Sequence, residues 1–269
     1  MIALLLAAAV IGHSVEHRPI VLTRVGDPQA TRKVLVVGEV HGNEPAGRGI
    51  VEALKRAIPP PGSELLLVED LNPDGLAHDT RTNAHGVDLN RNSPEHWAGA
   101  GAKPWSEPET RAIRALILRE RPALTIYYHQ PYGLVDVPEG GRPQMARRYA
   151  HLVGLPLVHL RRRPGSLSRW QNVRLRHGSA IVVELAAGPL RPATRRRHVA
   201  AVLALATPSP AASAARAAPA AAAPAGTSSS CPSASSRRGR APLARSSRRA
   251  GSPPTARGRT PAGRRSCRR

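Results

Sequence analysis

KVLVVGEVHGNEPAG, Lys33–Gly47, is the stretch from which the rest of the chain is read. Lys33–Val40 is a nearly continuous apolar run with β-branched residues, which suits a strand covered on both faces. Beyond it, Glu44 to Ile58 has helical spacing through Ile50, Val51, Leu54 and Ile58, and Pro59-Pro60-Pro61-Gly62 stops it. His41 and Glu44 therefore fall three apart, at the turn from a buried strand into a helix.

Working outward, Pro19–Val25, Glu64–Leu71, Ala123–Gln130, Leu155–Leu160 and Ser179–Ala186 read as further strands. Helices are expected from Ser106 to Glu120, with Ser106 capping and Glu109 three positions on, and over Arg142–Val153 and Thr194–Ala206. Between Asn72 and Trp105 runs a polar stretch without periodicity, far longer than an ordinary connection. Strand alternating with helix predicts an α/β domain with a mixed, mostly parallel central sheet flanked by helices.

The whole chain has 269 residues and a formal charge of +22, a balance that alone suggests a binder of polyanions. Position corrects this. After Glu184, the last acid, come 17 arginines, while residues 1–184 hold 23 basic against 18 acidic groups. Residues 207–269 are almost entirely Ala, Pro, Ser, Gly and Arg, too poor in apolar surface to offset the entropy of ordering, and are expected to be disordered. The folded domain is expected over residues 13–206. Residues 1–12, MIALLLAAAVIG, read as a leader, a remnant of a signal peptide, or a first buried element. Both a cytoplasmic and a secreted location are open. No run reaches the roughly 18–20 apolar residues of a membrane span. Both cysteines, Cys231 and Cys267, lie in the tail, which excludes disulfide stapling or a cysteine-held metal in the domain.

Polar residues at strand ends carry the chemistry. His129 closes one expected strand, and with His41 and Glu44 it offers two imidazoles and a carboxylate at the rim where open α/β sheets bind ligands. Glu184 follows Ile181-Val182-Val183, where a carboxylate is costly unless paired or used. It reads either as a salt-bridge partner of an arginine or as a general base. In the long stretch, Thr80–Asn92 places Arg81 and Arg91 near Asp88 and Asn90. Arginine forks match carboxylates and steady an oxyanion, whereas Asp88 reads best as a turn former.

Taken in order, GHSVEHRPI, HGNEPAG, LNPDG, NAHGVDLNRN, SEPETRA, YYHQP, PGSLSRW and VVELA resemble the zinc carboxypeptidase family, most closely its bacterial murein-peptide amidase branch, over residues 12–188. The resemblance implies one Zn²⁺ on His41, Glu44 and His129. It implies Arg81 as the group polarising the scissile carbonyl, and Asn90 and Arg91 as the grip on the substrate's terminal carboxylate. Glu184 resembles the base that activates water and then protonates the leaving amine. Ser166 and Trp170 mark the specificity pocket, and Leu167 is expected to line it. Ser93 replaces the branch's usual aromatic residue after DLNRN. Leu160 and Arg161–Arg163 stand where the family has a tyrosine.

The implied activity is zinc-dependent hydrolysis of a peptide or amide bond near a free carboxylate in short peptides, and the branch resemblance implies wall-derived murein peptides as the substrate. Two alternatives remain at this level. One is an aspartoacylase- or desuccinylase-like amidohydrolase of N-acyl amino acids, which shares HGNE. The other is an inactive enzyme-like domain with an arginine-rich tail that binds nucleic acid, although no specific nucleic-acid partner is expected. Oligomeric state is not legible.

Overall fold

The computed structural model describes residues 6–136, 139–161, 163–175 and 178–208. The segment expected to be disordered, 207–269, lies outside the described residues except for Thr207 and Pro208. Eight strands form one sheet: β1 (Leu6–His13), β2 (Pro19–Gly26), β3 (Arg32–Val37), β4 (Ser63–Val68), β5 (Leu124–His129), β6 (Tyr132–Asp136), β7 (Leu157–Val158) and β8 (Ser179–Ala186). Their spatial order is β1-β2-β4-β3-β5-β8-β6-β7. The four central strands β4-β3-β5-β8 are parallel, and the antiparallel pairs β1·β2, β2·β4 and β6·β8 make the sheet mixed.

The continuous apolar runs behave as their composition requires. β4 and β5 are buried along their whole length, because helices cover both faces. Alternate side chains enter two cores. Val34, Val36, Ile126 and Val183 pack with α1 (Arg48–Lys55), α4 (Pro143–Val153) and α6 (Pro192–Ala206). Leu35, Val37, Tyr127 and Ala180 pack with α3 (Pro108–Glu120) and α5 (Leu167–Arg174). Leu54 of α1 is fully buried, so Leu54→Ala is expected to cost about 2–5 kcal/mol.

Several expectations need correction. The helix read over Glu44–Ile58 is a 3-10 turn at Pro45–Gly47 followed by the shorter α1. Ile58 is 81% exposed, since the prolines that follow pull the chain out of helix before it. Ser106 does not cap α3: Glu107 holds that position without a side-chain cap bond, and Ser106 Oγ donates to Glu107 Oε1 instead. The strand expected over Leu155–Leu160 shrinks to the two residues of β7. Neither β6 nor α5 was expected. α5 buries the polar Gln171 and Asn172 beside Trp170, so its apolar periodicity is faint.

The long polar stretch is not structureless. It contains α2 (Pro73–His78) and a 3-10 turn at Leu89–Arg91. Three buried asparagines hold it, beside Leu89, which is fully buried in the core. Asn72 Oδ1 accepts from Gly75 N, capping α2. Asn83 Nδ2 donates to Glu107 and Glu109, while its Oδ1 accepts from His85 N and Val87 N. Asn92 accepts from Thr110 Oγ1 and donates to Ala100 O. Each satisfies backbone groups that a buried loop would otherwise leave costly and unpaired.

Candidate metal and active site

β3, β5 and β8 end side by side, and their C-terminal ends deliver the site. Three residues beyond β3, Val40 gives way to the His41-Gly42-Asn43-Glu44 turn. Gly42 is required there because a Cβ would stand 1.8 Å from the Gly75 carbonyl carbon, so only glycine lets the turn rest on α2. His129 is the last residue of β5, and its register partner on β8 is Glu184. Parallel register partners share a face of the sheet, so both point to the rim that the turn occupies.

His41 Nδ1, Glu44 Oε2 and His129 Nδ1 form a triangle with sides of 2.9, 2.9 and 3.0 Å. All three residues are buried, and they are the only metal-binding group of this kind among the described residues. Two imidazole nitrogens 3.0 Å apart beside a carboxylate present more lone pairs to one point than protons can satisfy. Zinc with ligands at about 2.0–2.1 Å spans a triangle only slightly wider. The nitrogen, nitrogen, oxygen donor set fits one divalent ion consistent with Zn²⁺.

The surroundings orient these ligands. His41 Nε2 lies 3.0 Å from Asp88 Oδ1, which leaves Nδ1 as the ligating nitrogen. Asp88 is the residue whose importance sequence reasoning undervalued: it also accepts from Asn90 N and so starts the 3-10 turn, as expected of a turn former. Gln130 was missed as well. Its backbone N–H donates to Glu44 Oε2, its Oε1 accepts from Ala46 N, and its Nε2 donates to the carbonyls of Ala186 and Gly188. It ties the metal-binding turn to the end of β8. The sequence signal was only its place directly after His129.

Burial alone would push the Glu44 carboxyl up, but its contacts with His129 and His41 outweigh that and hold it well below the usual range. Burial lowers His129 to about 4, keeping it neutral as a ligand must be. Glu184 behaves oppositely. Burial, reinforced by the charge of Glu44, raises it to about 7, and its Oε2 has no hydrogen-bond partner.

A cavity of about 290 Å³ opens at this rim, and His41, Glu44, His129, Glu184, Arg81 and Arg91 all line it. Arg81 donates to Glu44 Oε1 at 2.7 Å and to Asp88 Oδ2 at 3.1 Å. Arg91 donates to Asn90 O, and the Asn90 side chain reaches 3.3 Å from His129 Nε2 while its Oδ1 accepts from Leu167 N. Arg161 and Arg163 line the wall, together with His159 and Leu160. Ser93 is fully buried and donates to Ser166 O, so the small residue locks the turn that carries α5. Leu167 is not on the wall: it is 1% exposed and packs into the core, and Ser168 and Arg169 take the wall positions.

A mixed, largely parallel sheet bearing a His-Glu-His triad on its rim defines a zinc metallocarboxypeptidase-like enzyme. Comparisons with known proteins narrow the class. Residues 12–144 match a family model described as "Protein of unknown function (DUF2817)". Murein peptide amidase A of Escherichia coli K12 is 32% identical over 166 residues, covering 53% of this chain and 68% of that protein. Among solved structures, murein-tripeptide amidase from Escherichia coli O157 superposes with a TM-score of 0.62 at 27% identity, over 77% of this chain and 94% of that one. Carboxypeptidase A from Helicoverpa armigera gives the same TM-score at 18% identity, over 79% and 69% of the two chains, a likeness of fold alone. The chain belongs to the zinc carboxypeptidase-like family, on the branch of murein peptide amidase A.

Proposed function

We propose that this enzyme hydrolyses a peptide or amide bond next to a free carboxylate in short peptides, with murein-type peptides as the substrate class. One observation carries the reading: a buried carboxylate with an unpartnered oxygen, Glu184, lines the same cavity as a complete His-Glu-His triad. The murein substrate is supported by the names of the relatives.

His41, Glu44 and His129 would hold the ion. Zinc, when bound, acts as a Lewis acid on the carbonyl and lowers the pKa of water beside it. Glu184 takes the proton as water attacks the carbonyl carbon, then passes it to the leaving nitrogen as the C–N bond breaks. An ordinary carboxylate would be a weak base for this, and burial makes Glu184 stronger. Arg81 places positive charge beside Glu44, where the carbonyl oxygen gains negative charge. Arg91 and Asn90 hold the substrate's terminal carboxylate, through a guanidinium fork and an amide.

The test is zinc-loaded full-length protein on D-Glu-linked peptides with free and amidated C-termini, beside Glu184→Gln. Expected are zinc-dependent release of the C-terminal residue, little turnover of the amide, and a loss of about 10²–10⁴-fold in Glu184→Gln with zinc content unchanged. Equal rates for parent and Glu184→Gln overturn the mechanism. Turnover of N-acyl amino acids alone would assign the amidohydrolase activity instead.

A further inference from the structure

α4 and α6 pack side by side. Arg148 Nη2 donates to Ala204 O and Arg197 Nη1 to Val153 O, so the two helices run antiparallel. Their outer face is basic throughout. Arg142, Arg147 and Arg148 are exposed along α4, and Arg191, Arg195, Arg196 and Arg197 along α6. Between Gly140 and Ala206 the one acid is Glu184, which is buried in the active-site cavity. From Arg191 to Ala204 the face runs about 20 Å at the usual helical rise.

Elsewhere arginines meet carboxylates: Arg24 pairs with Glu64 and Glu120, Arg48 with Asp70, and Arg174 with Glu95. On the α4–α6 face the partners are carbonyl oxygens instead. Arg32, at the edge of the face, likewise donates to Leu205 O. Burial first, and then the charges of Arg148 and Arg142, pull its pKa below the usual guanidinium value. Like charges gathered without a counter-charge oppose folding, so the cluster calls for an anionic partner outside the chain.

We propose that the α4–α6 face is a docking surface for an anionic phospholipid bilayer. The proposal stands apart from the peptidase reading. Neither helix exposes a Tyr or Trp, which removes the stacking platforms that single-stranded nucleic acid uses. Two helices packed side by side also offer a broad face, not one helix free to enter a major groove. Leu152, 36% exposed, and the half-buried Val199 stand among the arginines, and apolar side chains between cations suit the headgroup boundary. The sequence after α6, residues 207–269, adds 13 arginines and no acid, and basic residues near anionic lipid add their attractions. No described helix is long and apolar enough to cross a bilayer, so the attachment is peripheral. None of the arginines on α4 or α6 lines the cavity that holds the triad, so docking leaves those walls free.

The test is co-sedimentation of the full chain with vesicles of mixed phosphatidylglycerol and phosphatidylcholine, and of phosphatidylcholine alone. The parent is expected to bind the mixed vesicles, to ignore the neutral ones, and to be released by added salt. One variant combines Arg147→Gln, Arg195→Gln and Arg196→Gln, whose side chains make no hydrogen bond among the described residues. Its partition should fall by about 100-fold, from roughly five-fold per charge. A second variant, Arg114→Gln with Arg119→Gln and Arg121→Gln, removes the same charge at α3 on the other side of the sheet. It should lose less than tenfold, and melting temperatures of both variants check that each is folded. No binding by the parent, or equal losses in the two variants, overturns the assignment and leaves the charge without a docking face. Vesicle binding unchanged in the first variant, with retention of duplex DNA lost, makes the face a nucleic-acid surface instead.

Discussion

Asp88 Oδ1 stands 3.0 Å from His41 Nε2, across 47 residues of sequence. The same carboxylate caps the turn that carries Asn90 and Arg91. One side chain thus couples a metal ligand to the residues expected to hold substrate. Contact with His41, working against the upward push of burial, keeps Asp88 well below the ordinary carboxylate range. That contact favours the ionised carboxylate.

Asp88→Ala should consequently weaken zinc binding by about 10–100-fold, the usual penalty for removing such a partner. Chelator competition measures it. An unchanged zinc affinity would mean that His41 is oriented by its packing alone.

Gly42→Ala should do more harm than its size suggests. The added carbon meets backbone of Gly75 and Leu76 at 1.8 and 2.1 Å, so the His41–Glu44 turn must move as a unit. Loss of zinc binding is expected, by at least 100-fold, measured in parallel with the melting temperature. Gly86→Ala is the control. Gly86 has φ +73° and nothing near a new Cβ, so only the left-handed backbone is penalised, at about 1–2 kcal/mol. If Gly86→Ala impairs zinc binding as severely, crowding at Gly42 is not the cause.

The central strands and the triad were legible because their physics is local. A short continuous apolar run rich in β-branched residues suits a strand covered on both sides, and His41, Glu44, His129 and Glu184 sit at or just beyond the ends of such runs. Asp88 was legible only as a turn former, because its second partner, His41, comes from another part of the chain. Leu167 was misplaced for a different reason. Without a visible helix at Leu167–Arg174, nothing showed that residue 167 turns inward and 168–169 outward. The order hidden in Asn72–Trp105 depends on buried asparagines, which leave no periodicity to read.

Glu39 offers a test of stability. It is fully buried, its Oε2 accepts from Asn72 N at 3.1 Å, and its Oε1 has no partner. Burial, with Asp70 nearby, raises its pKa well above 4.5. A raised carboxyl contributes stability that is present at low pH and lost as pH rises from about 4.5 through the folded value. Glu39→Gln keeps an acceptor for Asn72 and removes the ionisation. Its stability relative to the parent should climb by about 1.4 kcal/mol per pH unit across that window, followed by urea unfolding. A pH-independent difference would show that Glu39 is already ionised in the fold.

His198 gives the opposite dependence from the other side of the sheet. It is 2% exposed on α6, and its Nδ1 lies 2.8 Å from Tyr149 OH, which in turn lies 2.6 Å from Tyr128 OH. Burial first, and then the charge of Arg197, lowers its pKa from 6.5 to about 4. The unfolded chain therefore binds a proton that the folded one refuses. The stabilising effect is complete above pH 6.5 and is lost as pH falls toward 4, by up to about 3 kcal/mol over the window. His198→Gln keeps a polar contact for Tyr149 without a titrating group, so its unfolding midpoint should vary less with pH between 6.5 and 4. Midpoints are compared for zinc-loaded parent and variant, because an acid-driven loss of metal would otherwise add its own slope. Parallel curves for the two proteins would place the acid sensitivity elsewhere, and would mean that the Tyr128–Tyr149–His198 chain tolerates the imidazolium.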